Sequence, residues 1–131
     1  MRVVLDSNVL LAGYGTRGLC EALLDVCLDA HQLVLSEHIL GELRRYLTVK
    51  FKASEEHADA IIASLRKEAE VVEPAAVPSG AFTDPDDLPV IGTAVAGQAD
   101  CLVTGDRELQ ALGSYENIPI LSPRAFYDRL C

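Results

Sequence analysis

The sequence predicts an α/β fold: a three-layer α/β/α sandwich around a mainly parallel sheet of about five strands. Val3, Val4 and Leu5 form an unbroken apolar run, which is typical of a strand buried on both faces. Short apolar segments then alternate with segments of helical periodicity, and no clear hairpin signal separates them. The length of 131 residues suits one domain, 1–131.

The remaining elements follow from the spacing of apolar residues. The glycine-rich stretch 12–18 is expected to be a loop, and it lacks the spacing of a phosphate-binding loop. The later patterns predict, in chain order, a helix over 19–30, a strand over 32–35, a helix over 37–47 capped by Ser36, a helix opened by Ser54, a strand over 70–73, a long connection over 74–89, a helix over 90–99, a strand within 100–106, a helix over 107–112, a strand over 118–121 and a helix from Pro123 to Cys131.

Composition narrows the class of protein. The net charge of −9 argues against tight non-specific binding to nucleic acid, unless divalent metal masks the carboxylates locally, and it also suits a basic partner. No apolar run approaches the ~20 residues that span a bilayer, and no basic leader precedes the first strand. We therefore expect a cytoplasmic protein without membrane association.

Four cysteines, Cys20, Cys27, Cys101 and Cys131, show no C-x-x-C pair and no histidine at zinc-ligand spacing. Reduced thiols that behave as small apolar side chains are the expectation.

Carboxylates gather where predicted strands end. Asp6 and Asp106 each close an apolar strand, and Asp84, Asp86 and Asp87 precede the helix over 90–99. The strand ends that precede helices lie on one edge of a parallel sheet, so these acids are expected to meet there.

Each acid also has an ordinary explanation. Asp6 could form a turn, Asp106 and either Asp86 or Asp87 could cap a helix, and Glu42 could be a solvated helix residue. A cluster of such acids without His or Cys would nevertheless suit a hard divalent ion, Mg²⁺ or Mn²⁺, which supports phosphoryl transfer.

Three ordered blocks of sequence carry a family resemblance. They are Val3-Val-Leu-Asp6-Ser-Asn8, then Ser36-Glu-His-Ile-Leu-Gly-Glu42-Leu, then the stretch from Asp84 to Asp106 that contains Val-Ile-Gly-Thr-Ala and ends in Thr-Gly-Asp. With these blocks the sequence resembles the PIN-domain ribonucleases, in particular VapC-like toxin components of toxin–antitoxin pairs.

The resemblance implies a set of site residues. The catalytic acids would be Asp6, Glu42, Asp87 and Asp106. Asp6, Asp87 and Asp106 would hold the metal, and Glu42 would orient water at the site.

Further polar residues of the same blocks would support these acids. Asn8 and Thr104 match positions that brace the site. Asp84 and Asp86 could join through water, which leaves the choice of Asp87 among the three open. Asp100 is expected to be structural.

The implied activity is hydrolysis of RNA phosphodiester bonds with Mg²⁺ or Mn²⁺. Arg44, Arg45, Lys50 and Lys52 would contact the RNA backbone, or else they form a solvated helix end. The resemblance also implies a cognate antitoxin, whose basic segment would occupy the acidic site, and a homodimer.

Three other functions compete with a nuclease. An aspartyl phosphatase would need an acid two residues after Asp6, where Asn8 stands. A receiver domain would need a lysine at the last strand, and 118–123 contain none. A PIN-like domain that only binds a partner remains the third alternative.

Overall fold

A computed structural model describes residues 1–130. Its sheet has six strands in the order β3-β2-β1-β4-β6-β5. The strands are β1 (Arg2–Leu5), β2 (Gln32–Leu35), β3 (Glu70–Val71), β4 (Cys101–Val103), β5 (Ser114–Tyr115) and β6 (Ile118–Leu121). The first strand is therefore internal, and all pairings except that of β5 with β6 are parallel.

Within the described residues, seven helices connect and cover these strands. They are α1 (Ser7–Gly15), α2 (Leu19–Ala30), α3 (Glu37–Val49), α4 (Glu55–Glu68), α5 (Leu88–Ala96), α6 (Arg107–Leu112) and α7 (Pro123–Leu130). A single 3-10 turn, Pro85–Asp87, leads into α5. Along the described residues, no helix combines the length and apolar character that a bilayer crossing needs.

The central strand confirms the layered α/β/α arrangement. Val3, Val4 and Leu5 are all 0% exposed. Successive side chains of a strand point to opposite faces, so both faces of the sheet are covered. The core continues through β2 and β4 into the apolar sides of the helices.

The prediction of a glycine-rich loop at 12–18 is wrong for its first half, because α1 extends to Gly15. Glycines here serve close packing rather than a turn. A Cβ at Gly15 would overlap the ring of Phe51, and one at Gly13 would lie 3.1 Å from Leu24 Cδ2. The helix thus accepts two poor helix formers because neighbouring segments approach its backbone.

The mainly parallel sheet is confirmed, but the expectation of no hairpin is corrected. β5 and β6 form an antiparallel hairpin, with Tyr115 opposite Ile118. Its two loop residues, Glu116 and Asn117, have φ of 48° and 67°. Two residues with positive φ suit a tight hairpin turn, and asparagine tolerates this conformation better than most residues.

The helices that frame the site have strong local signals. The Ser36 hydroxyl accepts a hydrogen bond from the Ile39 N–H at the start of α3, as expected. In α5 the Thr93 hydroxyl lies 2.8 Å from Ser36 Oγ and 2.7 Å from the Pro89 carbonyl. The helix itself begins at Leu88, two residues before the predicted start, and ends at Ala96.

The cysteines for which the structure gives a state are free thiols. Cys27 and Cys101 are buried and Cys20 is half-buried. Cys131, expected to be reduced at the end of the closing helix, lies outside the described residues.

Candidate active site

The site begins where β1 and β4 end side by side. Leu5 pairs with Val103, so Asp6 follows one strand directly beside Thr104, which follows the other. The Asp6 N–H donates to the Val103 carbonyl at 2.9 Å, which extends the ladder to the acid. Strand pairing therefore sets the position of Asp6.

Asp6 is 3% exposed and bound through both carboxylate oxygens. Its Oδ1 accepts from the Ser7 N–H at 2.7 Å, as the N-cap of α1. Its Oδ2 accepts from the Thr104 hydroxyl at 2.8 Å and from Asn8 Nδ2 at 3.3 Å. These donors compensate part of the cost of burying a carboxylate.

Asn8 braces the two strand ends. Its side-chain oxygen accepts from the Gly105 N–H at 2.9 Å, while its nitrogen faces Asp6 and Thr104. Both ends of the amide are thus engaged within the site. The residue two positions after Asp6 acts as a connector rather than an acid, which argues against the aspartyl phosphatase.

Glu42 reaches the same place from α3. The Ser7 hydroxyl lies 3.2 Å from Glu42 Oε1 and 3.5 Å from Asp6 Oδ1. It can therefore donate a hydrogen bond to either carboxylate. His38 Nε2, one helical turn before, lies 3.5 Å from Glu42 Oε1 without a hydrogen-bond partner among the described residues. Ser7 therefore links the first two acids.

The acids at 84–87 have different roles. The Asp84 carboxylate accepts from the Asp86 N–H at 3.0 Å and caps the 3-10 turn. Asp87 occupies the N-cap position of α5 but makes no side-chain capping bond. Its half-buried carboxylate is thus left available, which singles it out from its two exposed neighbours.

Asp106 fulfils the capping role that the sequence left open and also lies at the strand end. Its Oδ1 accepts from the N–H groups of Glu108 and Leu109, as the N-cap of α6. Its own N–H donates to the Thr104 hydroxyl at 3.1 Å. Asp100, by contrast, accepts from the Arg2 N–H at 2.7 Å and is structural, as expected.

All of the expected acids line one cleft with a volume of about 290 Å³. Its walls come from the ends of β1 and β4, from α1 and α3, and from the segment before α5. The lining residues are Asp6, Ser7, Asn8, Leu11, Glu42, Arg45, Tyr46, Lys50, Asp84, Asp86, Asp87 and Asp106.

Crowding of negative charge perturbs these acids. Burial, followed by repulsion from Asp6, Asp106 and other acids, raises the pKa of Asp87 from 3.8 to about 7. Burial also raises the pKa of Asp6, against the lowering effect of Thr104 and Ser7. Burial raises the pKa of Glu42, opposed first by His38. Without a cation, the site therefore favours partial protonation.

The donor set fits a hard divalent cation in chemistry, since it offers carboxylate oxygens and no thiolate. The mutual repulsion within the cleft is what such an ion would relieve. Within residues 1–130, however, no three His, Cys, Asp or Glu side chains converge closely enough to hold one ion. Binding would thus require side-chain adjustment.

The four cations predicted near the RNA separate in the structure. Arg45 and Lys50 line the cleft, whereas Arg44 and Lys52 do not. Arg44 points to α4, where its Nε lies 2.7 Å from Asp59 Oδ1. The helical period explains why only Arg45 of the two arginines faces the cleft. Arg45 is three residues after Glu42 and shares its face of α3, whereas Arg44 is only two residues after it.

Three lining residues, Ser7, Leu11 and Tyr46, were not predicted from the sequence. Ser7 directly follows Asp6, and its place at a strand end was the available signal. Tyr46 stands four residues after Glu42, which puts it on the same face of α3. The helical spacing from Glu42 would have identified it.

The sequence matches the family model of the PIN domain. The model of the PIN domain matches residues 2–108, which include all four of the expected catalytic acids. No curated protein matches the chain.

Similar solved structures share the fold at low identity. PAE2754 from Pyrobaculum aerophilum has a TM-score of 0.67 at 16% identity, over 99% of this chain and 89% of that chain. VapBC2 from Rickettsia felis, bound to a promoter DNA fragment, has 0.65 at 16%, over 93% and 98%. VapBC-1 from nontypeable Haemophilus influenzae has 0.63 at 17%, over 95% and 99%.

Proposed function

The chain belongs to the PIN domain family, and on this premise we propose that it is a divalent-metal-dependent ribonuclease, the toxin component of a toxin–antitoxin pair. One observation carries the proposal: acids from four separate segments line a single cleft together with two cations. RNA as substrate implies action in the cytoplasm.

Asp6, Asp87 and Asp106 would hold Mg²⁺ or Mn²⁺. When bound, such an ion polarises the phosphate and lowers the pKa of water, which favours hydrolysis at neutral pH. Asp6 is held for this role by Thr104 and Ser7. The Asp87 carboxylate makes no capping hydrogen bond, and a bound cation would favour its charged form.

Glu42 would accept a proton during hydrolysis. It faces Asp6 through the Ser7 hydroxyl, and its pKa is raised, mainly by burial. A base works best when its pKa approaches the working pH, so a raised carboxyl pKa suits this role.

Arg45 and Lys50 would bind RNA phosphates at the cleft. The six acids of the lining would repel a polyanion unless metal and these two cations offset them. The remaining acids, Asp84 and Asp86, would contribute through water.

The toxin assignment draws support from the VapBC structures, whose folds cover more than nine-tenths of this chain. The partner would be a cognate antitoxin that inserts a basic segment into the acidic cleft. We further propose that the active form is a homodimer of a single-domain chain.

The direct test is cleavage of single-stranded RNA with added Mn²⁺. Asp6→Asn preserves the shape of the side chain but removes its charge, and should reduce cleavage by at least about a hundredfold. Asp29→Asn removes one charge from an exposed position of α2 and should cleave like the wild type. Equal activity of Asp6→Asn and the wild type would rule out the assignment.

A further inference from the structure

We propose that Tyr46 is a positioning residue for the substrate: its ring holds Arg45 and Lys50 at the cleft, where the pair binds the RNA phosphates. The inference rests on the proposed ribonuclease function and adds a determinant of RNA affinity that lies outside the acidic residues.

The first support is the placement of these side chains on α3. Glu42, Arg45 and Tyr46 stand at i, i+3 and i+4 of α3, and Lys50 follows at i+8 as the C-cap residue after the helix. This spacing gathers them on one face, and all four line the cleft. The helix therefore carries an acid, an aromatic ring and two cations along one wall of the site.

The second support is the contact between the ring and the cations. Arg45 Cζ lies 5.2 Å and Lys50 Nζ 4.8 Å from the centroid of Tyr46. Both distances are within the ~6 Å range of a cation–π interaction. Neither Arg45 nor Lys50 forms an ion pair among the described residues, although six acids line the same cleft.

The third support is anchorage of the ring. Tyr46 is half-buried and packs against the core, whereas the two cationic side chains that it contacts are exposed. Long cationic side chains otherwise sample many rotamers, and ordering them on binding costs entropy. A fixed ring would reduce that cost and leave the charges free for phosphate.

Charge balance explains why this matters. Among the residues that line the cleft in the described part of the chain, Arg45 and Lys50 are the only basic ones. Arg44 is paired with Asp59 of α4, so it cannot replace them without breaking that pair. Loss of the ring should thus weaken RNA binding while leaving the acids in place.

The experiment compares Tyr46→Leu with Tyr46→Phe. Leu removes the cation-binding face, whereas Phe keeps it and loses only the hydroxyl. The matched control is Tyr127→Leu. The Tyr127 ring also contacts an arginine, with Arg124 Cζ 5.7 Å from its centroid, but Tyr127 lies outside the cleft.

Steady-state cleavage of a single-stranded RNA with Mn²⁺ supplies the main readout. Tyr46→Leu should raise KM about fivefold and change kcat less than about twofold, because uniform binding is lost. Its binding should also depend less on salt, with a slope smaller by about 0.7 for each phosphate that is no longer neutralised. Tyr46→Phe and Tyr127→Leu should match the wild type.

The outcomes separate the two proposals. A wild-type chain that cleaves RNA, with a Tyr46→Leu variant of unchanged KM and salt slope, overturns this inference alone. A decrease in kcat instead of an increase in KM, or an equal effect in Tyr46→Phe, also overturns it. A wild-type chain without Mn²⁺-dependent cleavage overturns both. If circular dichroism shows Tyr46→Leu unfolded, Tyr46→Met replaces it, because Met fills a half-buried site without a cation-binding face.

Discussion

Thr104 determines how the central acid is held. It is 0% exposed, donates to Asp6 Oδ2 at 2.8 Å and accepts from the Asp106 N–H at 3.1 Å. One hydroxyl thus joins two of the proposed metal ligands. Without this donor the buried carboxylate would depend mainly on the Ser7 N–H and the Asn8 side chain, so less of its desolvation cost would be compensated.

Replacement of Thr104 by Val should therefore lower the free energy of unfolding by about 1–3 kcal/mol and cleavage by about tenfold to a hundredfold. Thr104→Ser keeps the hydroxyl and should retain most of both. Chemical denaturation and RNA cleavage measure the two effects. If Ser were as damaging as Val, the methyl group rather than the hydrogen bonds would be the important feature.

The raised pKa of Asp87 makes stability depend on pH. The carboxyl group titrates near 7 in the folded chain and near 3.8 in the unfolded one. Between these values the folded chain binds one more proton, so stability is highest at the acidic end and is lost as pH rises towards 7.

In EDTA, we expect the thermal midpoint of the wild type to fall as pH rises from about 4 to about 7, with a weaker fall in Asp87→Asn. The Asn variant has no carboxyl group to lose a proton, while Asp6 and Glu42 still contribute in the same direction. Thermal unfolding across this pH range tests it. Parallel curves for the two chains would contradict the shift.

Two glycines, Gly92 in α5 and Gly97 just after it, allow α5 to pack closely against its neighbours. A Cβ at Gly92 would lie 2.3 Å from the Ala75 carbonyl oxygen, and one at Gly97 would lie 2.4 Å from Val34 Cγ1. The Gly92 carbonyl also accepts a hydrogen bond from the Ala75 N–H. Because Asp87 is the N-cap of α5, close packing of this helix also places the third acid.

Gly92→Ala should reduce the free energy of unfolding by about 1–3 kcal/mol, since a backbone atom would have to move. Gly41→Ala is the matched control within α3, where nothing lies within 4 Å of an added Cβ. It should be neutral or stabilising by about 0.5–1 kcal/mol, as alanine is the better helix former. Similar destabilisation of both variants would argue against the packing explanation.

Charge distribution links the site to the stability of the entire chain. The net charge is −9, and six acidic side chains line one cleft. Self-repulsion of this kind opposes the compact state, and an ion that binds only the folded chain offsets it.

Mn²⁺ should therefore stabilise the folded chain, by about 2.7 kcal/mol at a concentration about 100 times its Kd. The effect should grow from about pH 6 to about pH 8, because the ion binds deprotonated carboxylates. NaCl of equal ionic strength should do much less. Calorimetric unfolding of wild type and Asp6→Asn provides the test, and identical Mn²⁺ responses in the two chains would refute a site at Asp6.

Local pattern was sufficient for most of the fold. The apolar run of β1, the caps at Ser36 and Ser54, and the helix over 107–112 all follow from neighbouring residues. Each signal arises from short-range hydrogen bonding or periodicity, which a sequence displays directly.

Longer-range packing decided what pattern missed. α1 remains helical through Gly13 and Gly15, where the absence of a side chain lets Leu24 and Phe51 pack closely against its backbone. The β5–β6 hairpin depends on positive φ at Glu116 and Asn117, for which the sequence offered only a weak signal.

The candidate site divides in the same way. The sequence predicted that Asp6, Asp106 and the acids at 84–87 would gather, because parallel strands end at one edge of the sheet. Glu42, which lies on α3, was expected there only from the family resemblance. Only the tertiary structure showed that the Asp87 carboxylate makes no capping hydrogen bond, and that Arg45 and Lys50 are the cations that line the cleft. These features depend on contacts between segments far apart in the chain. Asp6, Ser7 and Glu42 become one hydrogen-bonded group only once α1 and α3 pack together.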